Sequence, residues 1–251
     1  MASRRGQMLD GVLLLDKPEG LSSNHALQRA KRTVDARKAG HTGTLDPFAT
    51  GLLICCFGRA TKISAAMLEA DKVYEATVRF GEETDSGDLT GHIVARADEP
   101  PAVTAERLES VLAEFRGEIE QVPPMVSALK RDGKPLYEYA RQGIELERPP
   151  RRITIHALDL LSCDGASARL RVHCSKGTYV RTLAQDIGRR LGCLGHLSAL
   201  RRTAVGPFAI EQAVGLEALQ AMAAPQSALI PLHALPDGLR PARVTTEENI
   251  L

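Results

Sequence analysis

Ile153-Thr154-Ile155-His156-Ala157-Leu158-Asp159-Leu160-Leu161 and Ala168-Arg169-Leu170-Arg171-Val172-His173-Cys174, on either side of Asp164-Gly165, are the two runs whose reading decides the fold of this chain. Apolar residues recur in them largely at every second position, the period of a strand with one buried face. Asp-Gly is a dipeptide that closes hairpins, so the runs read as paired antiparallel strands. The period then changes, and Thr178 to Leu191 reads as a helix. Upstream, Tyr74, Ala76, Val78 and Phe80 alternate with polar residues in another half-buried strand, followed by a polar turn from Gly81 to Gly91. Gly11 to Leu15 reads as a buried strand, and Ser22 or Ser23 can cap a helix carrying Ala26, Leu27, Ala30 and Val34 at helical spacing. Thr104 heads a helix with Leu108, Val111, Leu112 and Phe115 inward and Gly117 at its end. Leu136 to Gln142, between Pro135 and Gly143, reads as a short helix in a small inserted arm. Helices thus interrupt hairpins without strict βαβ repetition. The class predicted is α+β, with a mixed, largely antiparallel sheet flanked by helices.

Composition narrows the chemistry. The chain has 251 residues and is 43% hydrophobic, enough for one large domain or two small ones. No run approaches the roughly 18 apolar residues of a membrane span, and no apolar block of signal-peptide length follows Arg4 and Arg5, so a cytoplasmic protein without membrane contact is expected. Five cysteines without a CxxC pattern are expected to be reduced thiols. Neither GxxxxGK[ST], GxGxxG, HExxH nor a Cys/His cluster at zinc spacing occurs in the sequence, so no cofactor and no dedicated metal are expected. The net charge of +1 conceals segregation: +4 over residues 1–81, −8 over 82–125, +8 over 126–210 and −3 over 211–251. Arginine supplies 24 of the 32 cationic residues. Its planar fork suits phosphate and stacks on bases, so a polyanion partner is plausible, although charge alone does not decide.

Three segments concentrate polar chemistry. Gly40-His41-Thr42-Gly43-Thr44-Leu45-Asp46-Pro47-Phe48-Ala49-Thr50-Gly51 lies within an aperiodic loop of about 16 residues, a length typical of functional loops. Asp46 is the acid of that segment, yet Asp before Pro also serves as a turn residue, and His41 alone reads equally as a hydrogen-bonded loop residue. Cys174-Ser175-Lys176-Gly177-Thr178-Tyr179-Val180-Arg181 opens a helix whose free amides favour anions, so Lys176 and Arg181 can hold phosphate or pair with a buried carboxylate. Tyr74 by itself reads as core as readily as a stacking platform.

Taken together and in order, these segments resemble the TruB-type tRNA pseudouridine synthases, which isomerise the T-loop uridine (U55) of tRNA. The blocks are Gly11 to Pro18 with Gly20 and Ser22, Gly40 to Leu52, Lys72-Val73-Tyr74 with Phe80-Gly81 and Thr84-Asp85, Gln121 to Lys130 with Tyr137 to Gly143, and Cys174 to Arg181. The resemblance covers about residues 10–215 and implies a pseudouridine-synthase-like fold. It implies Asp46 as the catalytic aspartate, Tyr74 as the ring stacking on the target base, and Tyr179 and Leu200 as lining of the uracil pocket. His41 would help hold the rearranged T loop, Arg181 would pair with Asp46, and Asp88 would lie in an acidic loop contributing to the site. A carboxylate suits this isomerisation because it can add to the base or capture an electron-poor sugar carbon, and the sequence does not choose between the two. An RNA backbone would be met by Lys17, Lys130, Arg131, Lys134, Arg141, Arg151, Arg152 and Lys176.

The expected partner is therefore the T arm of tRNA, bound by a monomer with no obligate protein partner. The alternatives are a tRNA-binding or tRNA-folding module with dispensable catalysis, and a guide-RNA-dependent relative, which the arm argues against. The expected organisation is a catalytic domain over 1–224, with the inserted arm at about 125–150, followed by a linker over 225–251. Many family members continue into a small PUA-type RNA-binding domain, and Val244-Thr245-Thr246 could be the start of one in a shortened form of the chain.

Overall fold

In a computed structural model of the chain, residues 6–99 and 102–240 are described; the expected domain start at Val244-Thr245-Thr246 lies outside them. The elements run β1 (Gly11–Lys17), α1 (Ser23–Thr33), β2 (Ala39–Thr42), β3 (Thr50–Phe57), α2 (Ser64–Glu69), β4 (Lys72–Phe80), β5 (Glu82–Thr84), β6 (Ile93–Arg96), α3 (Ala105–Glu114) and β7 (Gly117–Gln121). They continue with β8 (Lys130–Arg131), β9 (Lys134–Pro135), α4 (Leu136–Ala140), β10 (Arg151–Cys163), β11 (Ser167–Cys174), α5 (Val180–Leu191), β12 (Gly195–Val205), β13 (Phe208–Ala209), β14 (Val214–Gly215) and α6 (Leu216–Ala221). One ten-stranded sheet has the order β14-β1-β3-β12-β4-β11-β10-β7, with β2 added to β3 and β13 to β12. Only β1 with β14 and β3 with β12 pair in parallel along this path. The sheet is therefore mixed and largely antiparallel, as its hairpin signals predict.

The predicted hairpin forms between β10 and β11, and the Asp164 carboxylate accepts from the backbone N–H of Ala166 and Ser167 to close its turn. On one side of the sheet, α3 and α5 bury Leu108, Leu112, Leu183 and Ile187 against Val78, Leu158, Leu170 and Val172. At the other end, α1 and α6 bury Ala26, Leu27, Ala30 and Leu219 against Leu13, Leu15, Leu53 and Phe57. Val12, Leu14, Leu52 and Ile54, the alternate residues of the same central strands, face a further cluster with Ile63, Met67 and Leu235. Two buried faces explain why β1 reads as a continuous apolar run.

Two expectations need correction. The stretch from Asp35 to Gly51 is not loop throughout, because Ala39–Thr42 forms β2 against Phe57 to Ile54 of β3. Four residues containing a glycine and a histidine are too few to show a period. Gly81 to Gly91 is likewise not a simple turn: it contains β5, which pairs with β6. The described part of the expected linker, residues 225–240, packs on the sheet: Val12 and Ile230 exchange backbone hydrogen bonds, and Leu235 is fully buried. Among the described residues no helix is long and apolar enough to cross a membrane.

Candidate active site

The turn that carries Asp46 is held from three directions. The buried hydroxyl of Ser23, first residue of α1, accepts from Leu45 N at 2.8 Å and donates to Leu45 O at 3.0 Å. Lys17 at the end of β1 donates through Nζ to the carbonyls of Pro18, Leu21 and Pro47. Arg202 of β12 donates to Gly43 O at 2.8 Å and, through Nε, to Leu52 O at 2.8 Å. An aperiodic segment thereby acquires a fixed backbone, which a positioned carboxylate requires.

Arg181, in the first turn of α5, meets that carboxylate. Its Nε stands 2.9 Å from Asp46 Oδ2 and 3.8 Å from Asp88 Oδ2. Nη1 and Nη2 donate to Ser86 O at 2.7 Å and Val126 O at 2.6 Å, so the guanidinium is fully engaged. Arg181 is buried, whereas the Asp46 side chain keeps 35% of its surface. Burial raises the Asp46 pKa above the ordinary aspartate value; Arg181 acts against that rise and Asp88 adds to it. The start of α5 is fixed by Gln121, whose amide accepts from Tyr179 N at 2.8 Å and donates to Tyr179 O at 3.1 Å.

Asp46 and Arg181 lie in a cleft of about 330 Å³ whose walls include Tyr74, Ser127, Tyr179, Leu200 and Arg202. Tyr74 sits on β4 opposite Arg202 of β12 and Val172 of β11, and its residue spacing places it on the same face as Ala76 and Val78. Burial pushes both tyrosine hydroxyls to higher pKa, with Arg202 opposing the shift at Tyr74 and Arg181 and Arg151 opposing it at Tyr179. Two phenol rings and one carboxyl group lining a partly polar slot can receive a planar heterocycle between them.

The other expected residues fall into three groups. Leu200 is buried and lines the cleft. Asp88 and His41 are not among the cleft-lining residues. Asp88 is buried, accepts from Ser86 Oγ and from Thr90 N and Oγ1, and lies 3.8 Å from Arg181 Nε. His41 stands on β2 opposite Cys55 with Nδ1 buried and unpartnered, and burial, with Arg202 adding to it, lowers its pKa. Lys17 corrects the sequence reading, since it is completely buried with its Nζ spent on three carbonyls and has no surface for an RNA backbone. Burial lowers its pKa to about 8. Lys130, Arg131, Lys134, Arg141, Arg151, Arg152 and Lys176 are exposed. Among them Arg141 lies over the Tyr137 ring, Arg152 approaches Glu118 at 3.5 Å and Lys176 pairs with Glu69.

Sequence reasoning missed Arg202, Gln121 and the holding role of Lys17. The signal for Arg202 was available in outline, because two adjacent arginines in a half-buried strand put one of them on the inner face. What that inner arginine would bind was not readable.

Comparison with known proteins identifies the family. The model of the TruB family pseudouridylate synthase N-terminal domain matches residues 31–180, and that of the tRNA pseudouridylate synthase B C-terminal domain matches residues 181–242. The protein named tRNA pseudouridine synthase B from Bordetella avium (strain 197N) is 72% identical over 243 residues, 96% of this chain and 100% of the relative. The protein of that name from Aromatoleum aromaticum (strain DSM 19018 / LMG 30748 / EbN1) is 62% identical over 231 residues, 91% of this chain and 74% of the relative. Among solved structures, a chain in a Cbf5-Nop10-Gar1 complex aligns with TM-score 0.70 and 30% identity over 89% of this chain; this chain spans 60% of that one. A chain of an H/ACA RNP bound to a substrate RNA containing 2′-deoxyuridine aligns with TM-score 0.66 and 26% identity, over 92% of this chain and 65% of that one. With both family models met along residues 31–242 and near-complete identity coverage, this chain belongs to the TruB family of pseudouridylate synthases.

Proposed function

We propose that this protein isomerises the T-loop uridine of tRNA, U55, to pseudouridine, with Asp46 as the group that acts on the reacting nucleotide. The observation that carries the reading is the placement of Asp46 against Arg181 in the cleft lined by Tyr74 and Tyr179. The reaction breaks the N1–C1′ bond, turns the uracil while it remains bound and rejoins it through C5, so redox and group-transfer partners have no part in it. Asp46 must be ionised to act. Burial works against that and the guanidinium works for it, which gives Arg181 a chemical reason to be there. The uridine must leave its stack at a cost of a few kcal/mol. Stacking on Tyr74, with about 1–3 kcal/mol available per base, offsets that cost.

The arm at 125–150 and the exposed cations Lys130, Arg131, Lys134 and Arg141 support a stand-alone grip on the T-arm backbone. We assign residues 1–224 to the catalytic unit, with residues 225–240 packed onto its sheet, acting as a cytoplasmic monomer. The test is incubation with an unmodified T-arm hairpin and mapping of the product. Pseudouridine at the T-loop position is expected from the wild type and is lost, by at least about 10³-fold in rate, in Asp46→Asn with hairpin binding retained. A binding or folding module with dispensable catalysis would show equal product, or none, for both proteins.

A further inference from the structure

We propose that Asp71, His156 and His173 form a surface site for one divalent transition-metal ion of the zinc class. The three come from three adjacent lines of the sheet: Asp71 immediately before β4, His156 on β10 and His173 on β11. The ladder between β10 and β11 is irregular between Ile155 and Ala157, so His156 is the extra residue of a bulge there. Ile155 pairs with Cys174, so residues 156 and 173, one step along each strand from that pair, put their imidazoles on the same side of the sheet. Their ring centroids are 4.8 Å apart and the planes are tilted by 50°.

Both Nε2 atoms converge on one oxygen, at 3.2 Å from Asp71 Oδ2 for His156 and 4.0 Å for His173. An ordinary surface ion pair uses one imidazolium per carboxylate, and a second cationic ring 4.8 Å from the first would be repelled. Two imidazoles and a carboxylate converging on one point are instead a ligand set. In a tetrahedral zinc site with bonds of about 2.0–2.1 Å, neighbouring ligand atoms are about 3.3 Å apart. The Asp71–His156 spacing is close to that value, and because the three ligand atoms lie within 4.8 Å of one another, the half-buried His173 needs a shift of about 1–2 Å to close the set. Two nitrogens and one oxygen suit zinc, cobalt or nickel and not magnesium or calcium. The Cys174 thiol takes no part, since it is buried in the core beneath the sheet. Three ligands on an open surface leave the fourth position to water. The ion would tie the entry of β4, where Lys72 turns into the cleft wall, to β10 and β11.

The test uses untagged protein stripped with a chelator, then freed of it, at a pH above the ordinary histidine value so that the imidazoles are neutral. Zn²⁺ titration by calorimetry should show one equivalent bound, and Co²⁺ should give the visible absorption of a low-symmetry, four-coordinate ion. His156→Gln and His173→Gln should each weaken binding by about tenfold or more, as should Asp71→Asn, and the double histidine variant should lose it. His233→Gln, outside the cluster, should leave it unchanged. Zn²⁺ should raise the melting temperature of the wild type and not that of the double variant, whose own melting in chelator reports whether it folds. Absence of stoichiometric binding by the wild type, or binding that survives in the folded double variant, overturns the proposal.

Discussion

Arg181 Nε lies 2.9 Å from Asp46 Oδ2, although the two residues are 135 positions apart in the chain. The guanidinium cannot follow the carboxylate, because its two outer nitrogens are committed to the carbonyls of Ser86 and Val126. The pair is therefore a fixed cation and an anion with an open side towards the cleft. Fixed charges of this kind stabilise a reacting centre without reorganising during the reaction.

Arg181→Lys removes the fork and leaves the Ser86 and Val126 carbonyls short of donors, a loss of about 2 kcal/mol in stability by denaturant unfolding. It also weakens the one strong influence that opposes the burial-driven rise of the Asp46 pKa. The sign follows: the shorter ammonium holds its charge farther from the carboxylate and offers no fork to it, so Asp46 holds its proton to higher pH and the acidic limb of kcat/KM moves towards alkaline pH. Stability carried by a carboxyl with a raised folded pKa is present at low pH and lost as pH rises through that value, so the variant should also lose stability over a higher pH window than the wild type. A tritium-release pH profile identical to wild type would remove Arg181 from the chemistry.

Tyr74 separates into a ring and a hydroxyl. Tyr74→Leu should weaken binding of a T-arm hairpin by about 1–3 kcal/mol, the worth of one stacked base. Tyr74→Phe should retain that binding and turn over more slowly, because the hydroxyl beside Arg202 is the group able to shuttle the C5 proton. Normal turnover in the Phe variant would limit Tyr74 to stacking.

Gly51 is required by geometry alone. It adopts φ +103° at the start of β3, and a Cβ there would stand 2.3 Å from Arg202 O and 2.8 Å from Arg202 N, where β3 and β12 pair in parallel. Both contacts are backbone, so neither can swing aside. Gly51→Ala should cost at least about 3 kcal/mol, measured by urea unfolding, and should lower activity by loosening Arg202 and with it the Asp46 turn. A loss below about 1 kcal/mol would mean that the two strands part at little cost.

Salt dependence distinguishes exposed from buried cations. The logarithm of tRNA affinity should fall linearly with the logarithm of salt concentration, and Arg141→Ala should reduce the slope by about 0.7–0.9 if Arg141 meets one phosphate. Lys17→Met should leave the slope unchanged, because Lys17 faces carbonyls and not solvent. A smaller slope in Lys17→Met would restore that lysine to the RNA surface.

Much of this was legible locally. The β10–β11 hairpin, the alternation of β4 and the amphipathic stretch of α5 are set by the periods of their own residues, and each forms within a few residues of the predicted limits. The chain also displays Asp46, Tyr74, Tyr179 and Arg181 in motifs distinctive enough to resemble one family. Strand order is different in kind. The parallel contact of β3 with β12 rests on two residue pairs separated by about 150 positions, and no local pattern specifies it.

Sequence alone determined which side chains the protein could use: one acid in a glycine-rich loop, two rings, and an excess of arginine over lysine. Only the tertiary structure decided what each cation does. Lys17 and Arg202 are as basic as Lys130 or Arg141, yet they are buried because the carbonyls of Pro47, Gly43 and Leu52 arrive from other strands and turns to receive them. A buried donor is stable only where acceptors converge on it, and that convergence belongs to the folded chain rather than to any segment of it.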